Sequence, residues 1–146
     1  LQEAAWQHAS LLGKGFHHRS EGALFWVLTA MRLRIDRYPK WGEHLTIRTF
    51  PVGTRKLLAI REFVLLDEAD AVLGRASSGW LIVDGGTGRP LRPEPVVADL
   101  VTTPSEFDAD LSRTAGLETG ATTDPLPVRY HAIDQYRPVN NAAILL

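Results

Sequence analysis

The feature that most constrains this fold is a series of strand-like runs between residues 25 and 83. The first passes from residues 25–29 into residues 31–36, where apolar and charged side chains strictly alternate. Such alternation is typical of a sheet with one solvated face. The later runs cover residues 44–50, 57–66 and 72–83. Residues typical of turns follow each run, so the sequence predicts a meander of about four long strands with tight connections.

Proline and glycine mark the predicted strand ends. Pro51 is expected to end the second run, because proline lacks the N–H that a ladder hydrogen bond needs. The fourth run is expected to end at residues 84–88, a glycine-rich turn that tolerates positive φ. Because this turn leads into Arg89 and Pro90 rather than a helix, it does not indicate a phosphate-binding loop.

A helix is predicted before the strands, over residues 1–12. Alanine and leucine interspersed with glutamine and glutamate favour helix, and Gly13 supplies a C-cap. Apolar residues lie on more than one side of this segment. The sequence therefore predicts that other structure wraps the helix.

Composition changes after the last of these strands. Six of the nine prolines lie between Pro90 and Pro127, which is typical of a linker with short helical turns. Alternation returns at residues 128–133, and residues 139–146 indicate the opening of a helix after Pro138. We therefore expect a second folding unit to begin there. Both chain ends look cut, so we expect a fragment of a longer cytoplasmic protein.

Composition and charge exclude several classes of protein. With 45% hydrophobic residues among 146, the chain can bury one core and is not disordered. The absence of cysteine excludes disulfides and thiolate metal sites, and the five histidines lack the spacing of a metal site. A net charge of -1 provides no overall attraction to nucleic acid. No apolar run reaches the roughly 20 residues of a membrane span, so membrane insertion is not expected.

Two groups of side chains have a functional interpretation beside a structural one. The tryptophans either pack in the core or line an apolar ligand cavity, and Trp41 differs because it lies in a Pro/Gly break. The basic residues either form a solvated sheet face or offer a docking surface to an acidic carrier. They are Arg32, Arg34, Arg37, Lys40, Arg55, Lys56, Arg89 and Arg92.

One carboxylate is a candidate for chemistry. Asp134 follows a predicted strand and precedes the helix start that contains Asn140 and Asn141. Free N–H groups at a helix start can hold a carbonyl oxygen while negative charge develops on it. A carboxylate beside them could attack an acyl carbon or position a water molecule. The structural alternative is a turn or capping residue.

Several ordered motifs resemble the acyl-ACP thioesterases of fatty-acid synthesis. They are Arg37-Tyr38-Pro39-Lys40-Trp41-Gly42-Glu43, Arg61-Glu62-Phe63, Arg75-Ala76-Ser77-Ser78-Gly79-Trp80 and Thr87-Gly88-Arg89-Pro90-Leu91-Arg92-Pro93. The resemblance implies an α+β hot-dog fold, in which a curved antiparallel sheet wraps a long central helix. Residues 1–93 would form an N-terminal hot-dog domain without its first strand, 94–127 a linker, and 128–146 the start of a C-terminal hot-dog domain.

The resemblance also implies a function. The family hydrolyses the thioester of fatty acyl-ACP and releases free fatty acid, so acyl carrier protein is the implied partner, and no cofactor is implied. The first domain would shape the acyl pocket, with Trp26, Trp41 and Trp80 as candidates for its wall. A homodimer through an exposed sheet edge is a further expectation.

The implied catalytic motif departs from the family pattern at two positions. The family reads Asp-x-Asn-x-His-Val-Asn-Asn, and here Asp134 and residues 139–141 match. Tyr136 replaces the asparagine, and Pro138 replaces the histidine with a side chain that cannot titrate.

Three alternatives follow from this motif. Asp134 could act alone as base or nucleophile, with Asn140 and Asn141 in support. The protein could instead bind acyl chains or acyl carriers without hydrolysing them. A hot-dog dehydratase is a weaker alternative, because its base is commonly histidine and none lies at the helix start. In the thioesterase interpretation, residues 1–146 alone are expected to be inactive.

Overall fold

The computed structural model describes residues 1–15, 24–112 and 127–129. The chain divides into two compact units, Leu1–Arg113 and Thr114–Leu146. All the helices and strands below belong to the first unit. The predicted catalytic residues Asp134, Asn140 and Asn141 lie outside the described residues.

The described elements are a helix, five strands and a short second helix. In chain order they are α1 (Gln2–Leu11), β1 (Leu24–Ile35), β2 (Thr46–Arg55), β3 (Leu58–Leu66), β4 (Val72–Asp84), β5 (Pro90–Leu91) and α2 (Glu94–Val97). The four long strands correspond to the four predicted runs. The short strand β5 was not predicted, since two residues carry no periodic pattern.

The strands pair in the order β1-β4-β3-β2, and every pair is antiparallel. The meander prediction was therefore wrong for β1, which pairs with β4 instead of β2. Alternation in one strand determines which face is solvated, but it carries no information about the neighbouring strand. The turn at residues 84–88 is confirmed: it joins β4 to β5, with Leu91 opposite Ile82.

Strand β2 continues past the residue that was expected to end it. Pro51 lies opposite Arg61, and the register shifts between Pro51 and Gly53, which has φ 146. Proline is tolerated here because β2 is an edge strand and because a bulge lies where proline cannot donate a ladder hydrogen bond. The Pro51 carbonyl accepts a hydrogen bond from the Thr103 N–H at 2.9 Å, so the later chain reaches this edge.

Helix α1 confirms the predicted helix and its cap. Gly13 has φ +70, and the Gly13 and Lys14 N–H groups donate to the carbonyls of Ser10 and Ala9. However, Leu11 is 86% exposed, so the expectation that other structure wraps this helix is not met in the described part of the chain. The ten residues of α1 also make it the longest helix among the described residues, so the long central helix is not shown.

Part of each face of the sheet is covered, and strand β3 is buried along most of its length. On the face that we call the helix face, Ala5 of α1 packs with Phe63 and Ala76. On the opposite face, residues 103–111 run across the sheet, and we call them the strap. Glu62 anchors the strap through hydrogen bonds to Ser105, Glu106 and Phe107. Part of the predicted linker is thus packed against the sheet, whereas the predicted domain boundaries stay a prediction.

Candidate functional site

Two of the three candidate tryptophans lie on the helix face. Trp26 is opposite Ile82 and Trp80 is opposite Leu28, so the two rings occupy neighbouring positions on β1 and β4. The Trp26 indole N–H donates to the Lys14 carbonyl at 3.0 Å. Trp80 packs against the core cluster on this face and donates to the Ser78 hydroxyl at 2.7 Å. Both rings therefore help to hold helix α1 and its C-terminal end on the sheet, and their role in an acyl pocket stays a prediction.

Trp41 lies apart from them, in the connection between β1 and β2. Its relative exposure is 105%, and the neighbouring Tyr38 is 79% exposed. Gly42 follows with φ +81, a conformation that favours glycine. The exposed position of Trp41 does not support a role as pocket wall within the described part of the chain, and that role stays a prediction.

An ion network holds this connection in place. Arg37 donates to both carboxylate oxygens of Glu43, at 2.7 and 3.2 Å, and to Asp67 at 2.7 Å. The Lys40 N–H also donates to Glu43, at 2.7 Å. The first and last residues of the motif at 37–43 are thus in contact, which explains the spacing of this motif by loop closure.

The same network predicts a pH dependence of stability. The Arg37 hydrogen bonds lower the pKa of Glu43 from its ordinary value of 4.5 to about 2. A carboxylate with a depressed pKa stabilises the fold above its unfolded pKa, and the contribution is lost as the pH falls through the folded value. In urea unfolding, the free-energy difference between wild type and Glu43→Gln should therefore shrink between about pH 4.5 and pH 2. A difference that does not change with pH in this range would contradict the account.

Glu62 is a buried carboxylate that connects the sheet to the strap. Its residue is 1% exposed, and its oxygens accept from Ser105 Oγ at 2.5 Å and from the Glu106 and Phe107 N–H groups at 2.8 and 3.1 Å. A cavity of about 100 Å³ lies beside it, bordered also by Ser77 and Thr54. Small-molecule sites usually measure about 300–1,000 Å³, so this cavity does not suit an acyl chain.

Arg61, the neighbour of Glu62, points to the helix face because side chains alternate along a strand. Its Nη1 lies 2.8 Å from His8 Nδ1 and donates to Thr49 Oγ1 at 3.1 Å. The three residues Arg61, Glu62 and Phe63 therefore contact the helix, the strap and the core, respectively. Arg61 and Glu62 belong to a motif that carries the family resemblance, but the resemblance assigned no role to Arg61, Glu62 or His8. The available signal was two adjacent charges inside an otherwise apolar strand.

The basic residues do not form one solvated face. Arg32 donates to the Asp110 carbonyl, and the Arg34 guanidinium lies 5.3 Å from the centre of the Phe107 ring, so the strap contacts both. Further arginines are paired: Arg37 with Glu43 and Asp67, and Arg55 with Asp108. Within the described part of the chain, five cations of this set form no salt bridge. They are Arg32, Lys40, Lys56, Arg89 and Arg92.

The described residues show no group of three or more His, Asp or Glu side chains that could hold a metal ion. Among them, no helix is long and apolar enough to span a membrane. What they provide is a partly covered sheet with two hydrogen-bonded indoles, a buried carboxylate and a buried guanidinium. The hydrolytic group that the sequence predicted lies elsewhere in the chain, at Asp134.

Comparison with protein families identifies the described unit. A family model described as the acyl-ACP thioesterase N-terminal domain matches residues 1–101. A palmitoyl-acyl carrier protein thioesterase of Gossypium hirsutum is 35% identical over 96 residues, which is 61% of this chain and 23% of that protein. An oleoyl-acyl carrier protein thioesterase of Coriandrum sativum is 28% identical over 99% of this chain and 44% of that protein. The chain thus spans less than half the length of these two curated relatives.

Solved structures with similar coordinates support the same fold. An acyl-ACP thioesterase of Bacteroides thetaiotaomicron superimposes with a TM-score of 0.83 at 22% identity, over 99% of this chain and 59% of that one. A 12:0-ACP thioesterase of Umbellularia californica gives 0.78 at 21% identity, over 99% of this chain and 61% of that one. The hot-dog architecture predicted from the motifs is therefore confirmed.

Proposed function

This chain belongs to the acyl-ACP thioesterase family, and from that premise we propose that it forms part of an enzyme that hydrolyses fatty acyl-ACP. Water adds to the acyl carbon of the thioester, the carrier thiol leaves with a proton, and a free fatty acid is released. The observation that carries the proposal is the family match over residues 1–101, which coincides with the described sheet and helix α1.

The proposal assigns the chemistry to the C-terminal part of the sequence. Asp134 acts as base or nucleophile, and Asn140 and Asn141, at the start of the predicted helix, support it. The support is the motif at residues 134–141, whose Asp134 and residues 139–141 match the family pattern. Because Pro138 has no titratable group, no imidazole is available at that position, and the proposal has Asp134 activate the water or attack the thioester.

The N-terminal part would shape the pocket for the acyl chain. The helix face is the better candidate for this pocket, because partly buried apolar residues surround its core. They are Leu1, Met31, Leu65 and Trp80. On this basis Trp26 and Trp80 remain proposed pocket residues, and Trp41 does not, because its ring is fully exposed.

The carrier is the part of the proposal that kinetics can test most simply. Lys56 in the β2–β3 turn and Arg89 and Arg92 beside β5 lie at one end of the sheet, where Thr54 Oγ1 contacts Glu94 at 3.5 Å. These cations are free to attract the acidic surface of a carrier protein, an effect that mainly raises the association rate.

We expect the full-length protein to hydrolyse palmitoyl-ACP with a kcat/KM at least about tenfold above that for palmitoyl-CoA at low salt, and the ratio should fall as salt is added. Thiol release measured with both substrates tests this. Equal kcat/KM values for the two carriers would contradict acyl carrier protein as the partner. Saturable binding of acyl-ACP without thiol release would favour the alternative, a non-catalytic acyl-carrier-binding protein.

The cytoplasmic location expected from the sequence stays a prediction. The two plant relatives described above are chloroplastic proteins.

A further inference from the structure

Arg61 is a buried cation whose two side-chain partners among the described residues are neutral. The residue is 9% exposed, and its Nη1 is in contact with His8 Nδ1 and Thr49 Oγ1. Burial, together with the charge of Arg61, lowers the pKa of His8, so its imidazole is uncharged at neutral pH. No ion pair joins Arg61 to a carboxylate in the part of the chain that the structure describes.

Such an arrangement is energetically unusual. Removing a charge from water costs several kcal/mol unless an opposite charge or a full set of hydrogen bonds compensates it. Burial lowers the pKa of Arg61 to about 10, which still leaves the guanidinium charged at neutral pH. The more exposed Arg37, by contrast, is paired with two carboxylates. Arg61, the cation among the buried residues of the described part of the chain, therefore has no carboxylate partner there.

The free part of the Arg61 guanidinium has the geometry of an anion receptor. A guanidinium carries five N–H donors, and among the described residues only Nη1 has acceptors. Every fully buried polar side-chain atom among the described residues has a hydrogen-bond partner, so Nε and Nη2 must retain contact with solvent. The Nε–Nη2 edge is one that holds a carboxylate or phosphate through two parallel hydrogen bonds.

We propose that the Nε–Nη2 edge of Arg61 binds an oxyanion, while His8 and Thr49 hold the guanidinium in place from its Nη1 side. A carboxylate and a phosphate share the required chemistry. The carboxylate of a free fatty acid and the phosphate of the carrier's prosthetic group are the two sources at hand. These sources rest on the proposed function, whereas the site itself does not depend on hydrolysis.

The test is a titration of the wild-type protein, with the His8 ring observed by NMR. Octanoate and inorganic phosphate are added in separate experiments at constant ionic strength. Each anion that binds should shift the His8 resonances saturably and raise the His8 pKa, because the bound anion offsets the Arg61 charge that disfavours imidazolium. Arg61→Gln should weaken anion binding at least about tenfold. Arg61→Lys should have an affinity between those of wild type and Arg61→Gln, because lysine keeps the positive charge but lacks the two parallel N–H donors of the guanidinium.

Arg48→Gln is the matched control. Arg48 lies on the neighbouring strand, its side chain is 64% exposed, and it contacts Asp70 only at 3.7 Å. This variant should bind both anions as wild type does. Tighter binding of octanoate would identify a fatty carboxylate as the source, and tighter binding of phosphate would identify the carrier's phosphate.

The absence of a saturable His8 shift with both anions in wild type would overturn the proposal, even if Arg61→Gln fails to fold. Unchanged affinity in a folded Arg61→Gln variant would also overturn it. The site and the proposed function are separable, because oxyanion binding without thiol release would contradict only the hydrolysis.

Discussion

Replacing Asp134 by asparagine in the full-length protein should lower kcat for acyl-ACP hydrolysis by about 10²–10⁴-fold. Asparagine has nearly the shape of aspartate, but it can neither accept a proton at neutral pH nor act as a carboxylate nucleophile. Binding of acyl-ACP should change little, because the acyl chain and the carrier are held elsewhere. The measurement combines stopped-flow thiol release with a separate equilibrium binding assay.

Asp124→Asn is the matched control for this prediction, because it makes the same substitution ten positions earlier, in the predicted linker. It should leave kcat unchanged. If Asp134→Asn also retains wild-type turnover, Asp134 is neither base nor nucleophile, and the assignment of the chemistry to this residue fails.

The second large effect, a loss of stability, is expected when Glu62 is replaced by alanine. In Glu62→Ala, the Ser105 hydroxyl and the Glu106 and Phe107 N–H groups lose their acceptor. Each lost partner of this kind costs about 1–3 kcal/mol where water cannot replace it, and the strap donors are partly accessible. We therefore expect the free energy of unfolding to fall by about 2–4 kcal/mol.

Glu68→Ala is the control for this variant. Glu68 pairs with His44 through side chains that are 64% and 90% exposed, and such exposed pairs contribute about 0–1 kcal/mol. Urea unfolding followed by tryptophan fluorescence measures both variants. Limited proteolysis should also cut the strap faster in Glu62→Ala. A loss no larger than that of Glu68→Ala would show that Glu62 does not anchor the strap.

Local patterns predicted much of the fold. Strict alternation located β1, and the apolar runs located β3 and β4 almost to the residue. Gly13 was identified as a helix cap because its effect is confined to the residues beside it. In contrast, the order of the strands and the continuation of β2 past Pro51 depend on which strands become neighbours.

Contacts between distant parts of the chain explain what the sequence missed. Glu62 bonds to residues 43 to 45 positions later, and Arg61 contacts His8, 53 positions earlier. No periodicity or short motif encodes such a pairing. The motif at residues 37–43 carries part of the family resemblance. The structure shows that its first and last residues, Arg37 and Glu43, form an ion pair that closes the loop.

The same contrast between local patterns and long-range contacts applies to the candidate site. Its proposed carboxylate was recognised from a motif of eight residues, which needs no knowledge of the surrounding structure. The tryptophans illustrate the opposite case. Trp26, Trp41 and Trp80 were all candidates for the pocket wall, although Trp41 was set apart by its Pro/Gly break. In the structure, Trp26 and Trp80 have hydrogen-bonded indoles on the helix face, whereas Trp41 is fully exposed.

The most direct test of the account is to incubate the full-length protein with palmitoyl-ACP in water enriched in ¹⁸O and to analyse the products by mass spectrometry. We expect free palmitate carrying ¹⁸O from the solvent, together with an equal amount of carrier with a free thiol. Intact acyl-ACP after prolonged incubation, bound or unbound, would contradict the proposed hydrolysis.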